Sequence, residues 1–141
     1  PVDRSALNAA EKALFRKTHQ TIDKVSRDME GAFHFNTAIA SVMELVNEAY
    51  STTPEAGRAT GLKVMREALE AAVLCLAPFV PHVCEELWRD LGHAESVFRS
   101  AWPEADRSAL IAEEVELAVQ VNGKVRGRVT VPADLDEESV R

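Results

Sequence analysis

Residues 73–92 read Val-Leu-Cys-Leu-Ala-Pro-Phe-Val-Pro-His-Val-Cys-Glu-Glu-Leu-Trp-Arg-Asp-Leu-Gly. The stretch opens apolar nearly all round, meets Pro78 and then Pro81, and closes as an amphipathic run ending at Gly92. Pro78 removes a helical N–H and crowds the preceding turn, so it kinks or ends the helix before it. Pro81 suits the first turn of a new helix, where its missing N–H is not needed. Val83, Leu87, Trp88 and Leu91 supply the buried stripe of that helix, and Gly92 its stop. A helix that is apolar on several sides, followed at once by another, predicts helices packed on helices.

Reading toward the N-terminus, the pattern repeats. The third helix starts near Thr60, with Leu62, Met65, Leu69, Ala72, Val73 and Leu76 inward. Before it, the run Ser51 to Gly57 is rich in turn formers. The second helix carries Ile39, Val42, Met43, Val46 and Tyr50 as its stripe. Asn36 is its expected N-cap and Phe35 a hydrophobic staple, after the link Ala32-Phe33-His34. The first helix spans about Ser5 to Glu30, with Leu7, Ala10, Leu14, Thr18, Ile22, Val25 and Met29 on one face and Gly31 as its end. The whole predicts a mainly α protein, an antiparallel bundle of about four helices.

Toward the C-terminus the period changes from about 3.6 to 2. After the connector Trp102-Pro103-Glu104-Ala105-Asp106, Val115, Leu117 and Val119 alternate with Glu116, Ala118 and Gln120. Asn122-Gly123 signals a turn, and Val125, Gly127, Val129 and Val131 then alternate with Lys124, Arg126, Arg128 and Thr130. This is a β-hairpin. A two-residue loop would set Val121 opposite Lys124 and mix the faces. A three-residue loop with Gly123 as a G1 bulge pairs Val119 with Val125, Leu117 with Gly127, Glu116 with Arg128 and Gln120 with Lys124, and is the expected register. Asp134 with Glu137 resembles a capping box opening a further helix before the chain stops at Arg141. The expected organisation is a helical bundle over 1–110 and the start of a truncated α/β module over 111–141.

Composition narrows the function classes. The 141 residues are 46% hydrophobic and 28% charged, enough for a core and for solubility. A net charge of -7 argues against a general, sequence-blind DNA coat. The longest apolar run, Ala71 to Val80, falls well short of the roughly 18 residues that suggest a membrane span. No signal peptide opens the chain, and Pro1 stands where a start Met would, as in an excised piece. Two cysteines, Cys75 and Cys84, make no disulfide scaffold and fit a reduced, cytoplasmic setting.

Catalytic motifs are missing: the sequence has no nucleophile elbow, no Gly-rich phosphate loop and no His-Glu-x-x-His. His82-x-Cys84-Glu85-Glu86 is the one metal-like cluster. His82 and Glu86 share a helical face, but Cys84 points elsewhere and no second ligand group completes four, so it reads as a helix first turn. Cys75 reads as a small buried hydrophobe, and His19 and His34 as surface or helix-edge residues. Basic charge is more informative. Residues 1–34 hold six Lys/Arg against five Asp/Glu, and residues 114–131 three against two, within an acidic chain. Lys124, Arg126 and Arg128 project from one face of a strand, as a phosphate-facing row or as an ordinary solvated face with Arg128 paired to Glu116. On the first helix, Asp23 with Arg27 and Lys24 with Asp28 are i,i+4 pairs.

Several stretches are familiar as sequence. Phe35-Asn36-Thr37-Ala38-Ile39-Ala40 with Met43-Glu44-Leu45-Val46-Asn47 resembles the second bundle helix of leucyl-tRNA synthetases of bacterial type. Leu76 to Trp88 resembles the Pro-interrupted helix of the same domain, and Trp102-Pro103 with Asp106 the connector after it. Val119-Gln120-Val121-Asn122-Gly123-Lys124-Val125-Arg126-Gly127 resembles the strand pair opening their C-terminal domain, and separates them from isoleucyl- and valyl-type relatives. The resemblance implies the anticodon-binding helical domain and the start of the C-terminal domain of such a ligase. It implies a leucine-specific tRNA and the remaining domains of the same polypeptide as partners, and no membrane. The parent enzyme would use ATP and Mg2+ to attach leucine. This piece carries neither signature motif of the nucleotide-binding fold, needs no cofactor itself, and should be inactive alone. Carried over, Arg16, Lys17, Lys24 and Arg27 would face the tRNA backbone, and Asn122, Lys124, Arg126 and Arg128 would belong to the elbow-facing module or its hinge. His82, Glu85, Glu86, Trp88 and Trp102 are architectural on this reading. The alternatives are the matching region of an isoleucyl- or valyl-tRNA synthetase, and a free-standing helical interaction module using Phe79, Trp88 and Trp102.

Overall fold

The computed structural model describes residues 4–31, 34–52 and 58–110, and the backbone of the strands 114–121 and 124–132. The link Ala32-Phe33, the loop from Thr53 to Gly57, the Asn122-Gly123 turn and the Asp134/Glu137 capping box lie outside the described residues. The chain divides into two compact units, Pro1–Ala109 and Leu110–Arg141.

The first unit is helical. A 3-10 turn at Arg4–Ala6 precedes α1 (Ala9–Glu30). Then come α2 (Phe35–Ser51), α3 (Ala59–Leu76), α4 (Pro81–Asp90), a 3-10 turn at Val97–Arg99 and the single turn α5 (Arg107–Leu110). The first three helices all pack on one another, and α4 packs on α3.

The start of α1 lies later than the sequence pattern placed it. Asn8 is the N-cap: its side chain accepts from Glu11 N–H at 2.8 Å, and the Glu11 carboxylate accepts from Asn8 N–H at 2.9 Å. This capping box, Asn-x-x-Glu, stood in the sequence unread. Glu11 is only 2% exposed, and Arg58 donates to the same carboxylate oxygen at 2.9 Å. Arg58 also reaches the Ala6 carbonyl at 2.7 Å, so one guanidinium ties the N-terminal turn to the start of α3.

The core holds Leu14, Phe15, Ile22 and Val25 of α1, Ala38, Val42 and Leu45 of α2, and Val64, Ala68, Ala71 and Cys75 of α3. The inward face of α1 agrees with expectation except at Ala10, which is exposed. On the next three helices part of the expected stripe is displaced by one residue, while Val42, Ala72, Val73 and Trp88 are buried as expected. The buried line of α2 runs Ala38, Ser41, Val42, Leu45, Ala49, while Met43 is 62% and Tyr50 85% exposed. That of α3 runs Gly61, Val64, Ala68, Ala71, Cys75, with Leu62 59% exposed. On α4, Cys84 and Trp88 are buried, and Val83 and Leu87 face outward. One residue is a rotation of about 100°. On α2 and α3 much of the buried line is Gly, Ala and Ser, small residues that let helix axes approach.

Helix ends follow local chemistry. His34, not Asn36, caps α2, without a side-chain bond. Instead, Thr37 Oγ1 donates to Asp28 at 2.7 Å and to the His34 carbonyl at 2.8 Å, two places its single hydroxyl proton can go. Pro78 follows the end of α3 and Pro81 opens α4, both as expected. Gly92 stops α4 in the left-handed region at φ 90. Its N–H donates to Arg89 O and the His93 N–H to Trp88 O, the paired bonds of a Schellman motif. A second small cluster, Val73, Ala77, Cys84, Trp88 and Val97, sits under α4.

The second unit contains the antiparallel strands β1 (Glu114–Val121) and β2 (Lys124–Pro132). Their register corrects the expected one. Val121 pairs with Lys124 and Gln120 with Val125, then Val119 pairs with Gly127. Arg126 is therefore the extra residue of a bulge. Beyond it, Leu117 meets Val129 and Val115 meets Val131. The need to match apolar positions was read correctly; the irregularity that achieves it lies inside β2 rather than in the turn.

Replacing the cap, Asn8→Ala, should lower stability by about 1 kcal/mol, read as a lower thermal midpoint of the helical circular dichroism signal. Cys75 and Cys84 are fully buried, and burial pushes the Cys75 thiol up to about 12 and raises Cys84 as well. A thiol reagent at neutral pH should label neither in the native chain and both after unfolding.

Candidate nucleic-acid interface

The basic residues of α1 sit on its outward side, and most are already paired. Lys17 donates to Glu44 of α2 at 2.6 Å. Lys24 pairs with Asp28 at 3.1 Å and Arg27 with Asp23 at 2.6 Å, the i,i+4 pairs legible in the sequence. Arg16 is half-buried. The Lys17 ammonium holds the Glu44 carboxyl below its usual range. The Thr37 hydroxyl, and then Lys24, do the same for Asp28. Exposed pairs of this kind contribute between about 0 and 1 kcal/mol. A phosphate can therefore take over such a cation at little expense, and the freed carboxylate returns to water.

On β2 the register changes the expected basic row. Lys124 pairs with Val121 and Arg128 with Ala118, three positions apart on β1, so the two fall at register positions of opposite parity. Arg126 sits at the bulge between them. Arg128 is not opposite Glu116, whose partner is Thr130. The three basic residues are close along the strand without forming one regular line. Asn122 lies outside the described residues.

Other sequence candidates resolve differently. Cys84 is buried under α4 while His82 and Glu86 are exposed, so that cluster does not converge. Among the described residues no group of three His, Cys, Asp or Glu could hold a metal ion, and no helix is long and apolar enough to cross a membrane. Trp88 is buried and stacked on His93 at 3.7 Å, which removes the centre of the interaction patch considered with Phe79 and Trp102. Trp102 Nε1 donates to Ser26 at 2.8 Å, holding the connector against α1.

His19 is the clearest correction. It was expected at the surface and is 5% exposed. Its Nδ1 accepts the Asp106 N–H at 3.2 Å, its Nε2 lies 3.4 Å from Glu67, and its ring meets the Phe15 ring edge-on at 4.4 Å. No local pattern signals a histidine whose partners lie on another helix and in the connector.

Residues 11–141 match the family described as the anticodon-binding domain of tRNA ligase. The chain belongs to that family. Its similar proteins are leucine–tRNA ligases. That of Alcanivorax borkumensis is 53% identical over 99% of this chain and 17% of its own length. Those of Syntrophobacter fumaroxidans and Thermotoga petrophila are 51% and 47% identical, over 96% and 95% of this chain and 16% of their own lengths. A solved ternary complex, Agrobacterium radiobacter K84 agnB2 LeuRS-tRNA-LeuAMS, matches with a TM-score of 0.78 and 37% identity over 94% of this chain and 17% of that one. The chain thus spans about one-sixth of the length of these relatives. It is an anticodon-binding domain of leucyl-tRNA synthetase type, as the Phe-Asn-Thr, Pro-His and Val-Gln-Val-Asn-Gly-Lys stretches implied.

The Asp28 carboxyl gives this domain an acid-sensitive joint between α1 and α2. Its lowered pKa adds stability that is present above the ordinary aspartate range and lost as pH falls through the lowered value. Thr37→Val removes the largest cause. The variant should melt earlier than the parent at neutral pH, and the two melting curves should converge in acid.

Proposed function

We propose that this chain is the tRNA-holding part of a leucine–tRNA ligase, positioning leucine tRNA while catalytic domains outside these residues attach leucine with ATP. The observation that carries the reading is the likeness, over 94% of the chain, to a leucyl-tRNA synthetase solved together with tRNA. The absence of a catalytic motif in the sequence agrees with a holding role. ATP and Mg2+ are assigned to the rest of the ligase, and a cytoplasmic site follows from the same reading.

Arg16, Lys17, Lys24 and Arg27 on α1 are proposed to meet the tRNA backbone. Asn122, Lys124, Arg126 and Arg128 are proposed for the second unit, read as the opening of a C-terminal domain that approaches the tRNA elbow. Phosphate contacts set register and orientation and carry little sequence information. That suits a domain whose task is to place a distant acceptor end, where a misplacement of about 1 Å can lower rate a hundredfold. The weak surface pairs of Lys17, Lys24 and Arg27 hold these side chains extended without consuming their charge.

Neutralising Lys124, Arg126 and Arg128 together in a full-length ligase carrying this chain should raise the KM for tRNA and flatten its salt dependence. Leucine-dependent ATP–pyrophosphate exchange should stay at the parent rate. Equal loss in both assays would refute a role confined to tRNA.

A further inference from the structure

The first unit closes on itself between its incoming and outgoing segments. Arg4, in the turn before α1, forms an ion pair with Asp106 and donates to Ser108 Oγ at 2.6 Å, across more than 100 residues of chain. Its guanidinium lies over the Phe15 ring at 5.1 Å. Phe15 meets His19 edge-on, and His19 Nδ1 takes the Asp106 N–H. The other ring nitrogen, Nε2, is buried 3.4 Å from a Glu67 carboxylate oxygen of α3 and makes no hydrogen bond. Asp106 also accepts from Ser108 N–H at 2.9 Å, capping the turn through which the chain leaves the unit.

Two features separate this cluster from ordinary surface pairing. It joins the segment that leads into the unit to the segment that leads out of it. It also contains a buried imidazole whose one acceptor nitrogen is given to the outgoing backbone. A bundle needs neither for its core, which lies among α1, α2 and α3.

We propose that Arg4, His19 and Asp106 form a clasp that registers the incoming segment against the outgoing one, with His19 as a positioning residue for tRNA. In a ligase, the clasp would fix the direction in which the chain leaves the first unit relative to α1, whose basic residues are proposed to meet the tRNA. The proposal rests on the tRNA-holding function proposed above.

The test uses His19→Leu, His19→Asn and Arg4→Gln. Asn can offer its side-chain oxygen where Nδ1 stood, and Arg4 is exposed enough that Gln leaves the core intact. In the 141-residue chain, His19→Leu and Arg4→Gln should speed hydrogen exchange of the Asp106 amide, and His19→Asn should restore its protection. In the full-length ligase, the first two should raise the KM for a leucine tRNA transcript about tenfold. ATP–pyrophosphate exchange should be unchanged, and His19→Asn should again recover. Unchanged amide exchange overturns the clasp. Faster amide exchange with an unchanged tRNA KM overturns the positioning role, and so does a matching loss of ATP–pyrophosphate exchange in Arg4→Gln. If the Lys124/Arg126/Arg128 variant also leaves the tRNA KM untouched, it is the tRNA reading that fails, and the clasp's role with it.

Discussion

The close approach of α1 to α2 and α3 is the constraint on which the rest of the molecule depends. Leu14 and Val25 of α1, Val42 and Leu45 of α2, and Val64 of α3 are sealed from water. Each contributes roughly 1.5–3 kcal/mol by burial. That burial is reached only because Ala38, Ser41, Ala68 and Ala71 stand at the contact and let the axes approach. Once the axes are close, the polar side chains on the inner side of α1 each find at least one partner. Glu11 finds Arg58 and its own cap, Thr18 bonds back to the Leu14 carbonyl, and His19 takes the Asp106 N–H. The capping box, the anchoring of α3 and the seating of the connector are consequences of one tightly packed helix.

The same constraint explains what was legible in the sequence. The four longer helices, the proline break and the Gly92 stop depend on local chemistry and were readable, whereas the single turn α5 was not. Parts of the inward faces of α2, α3 and α4 were misread by one position, because apolarity was taken as a measure of burial, while Val42, Ala72, Val73 and Trp88 were placed correctly. Tyr50 and Leu62 are larger and carry more apolar surface than the Ala49 and Gly61 beside them, yet they lie outside. On α2 and α3 a size criterion would have helped: small residues at steps of three and four mark the contact. The hairpin shows a related limit. The alternation of valines required an extra residue somewhere, but only the backbone says that it is Arg126 rather than Gly123. His19 and Arg58 were beyond reach for another reason. Their partners are far along the chain, and nothing near either residue announces them.

For the site, the sequence indicated which residues are basic but not how their charge is held. On α1 the cations are laced to Glu44, Asp28 and Asp23. On the proposed function, an acidic domain that holds a polyanion faces two opposing demands. Free cations would attract any nucleic acid, while tightly buried pairs would never release. Exposed pairs satisfy both, because their mutual attraction is nearly cancelled by water and salt. On the proposed function they would yield where several phosphates arrive together in matching geometry. The depressed carboxyl pKa values of Asp28 and Glu44 fit this arrangement, since both partners remain charged across the neutral range.

The polar clasp at Arg4 extends this logic from binding to placement. As stability, its ion pair is worth little, since both side chains are substantially exposed. Its value lies in where it is. A contact that joins residue 4 to residue 106 fixes two chain ends against each other, and chain ends are otherwise the parts of a domain that fray first. His19 adds direction to that joint. A ring nitrogen accepts within a narrow cone, so the Asp106 backbone is fixed in angle as well as in distance. Trp102 on Ser26 supplies a second point of attachment on the same connector, and two points define a line. A domain whose task is to hold its ligand needs only affinity. One that must, on the proposed function, hold it at a given place relative to a distant reaction needs a path through its own body, and α1, which meets the connector at His19 and Ser26, is the element placed to supply it.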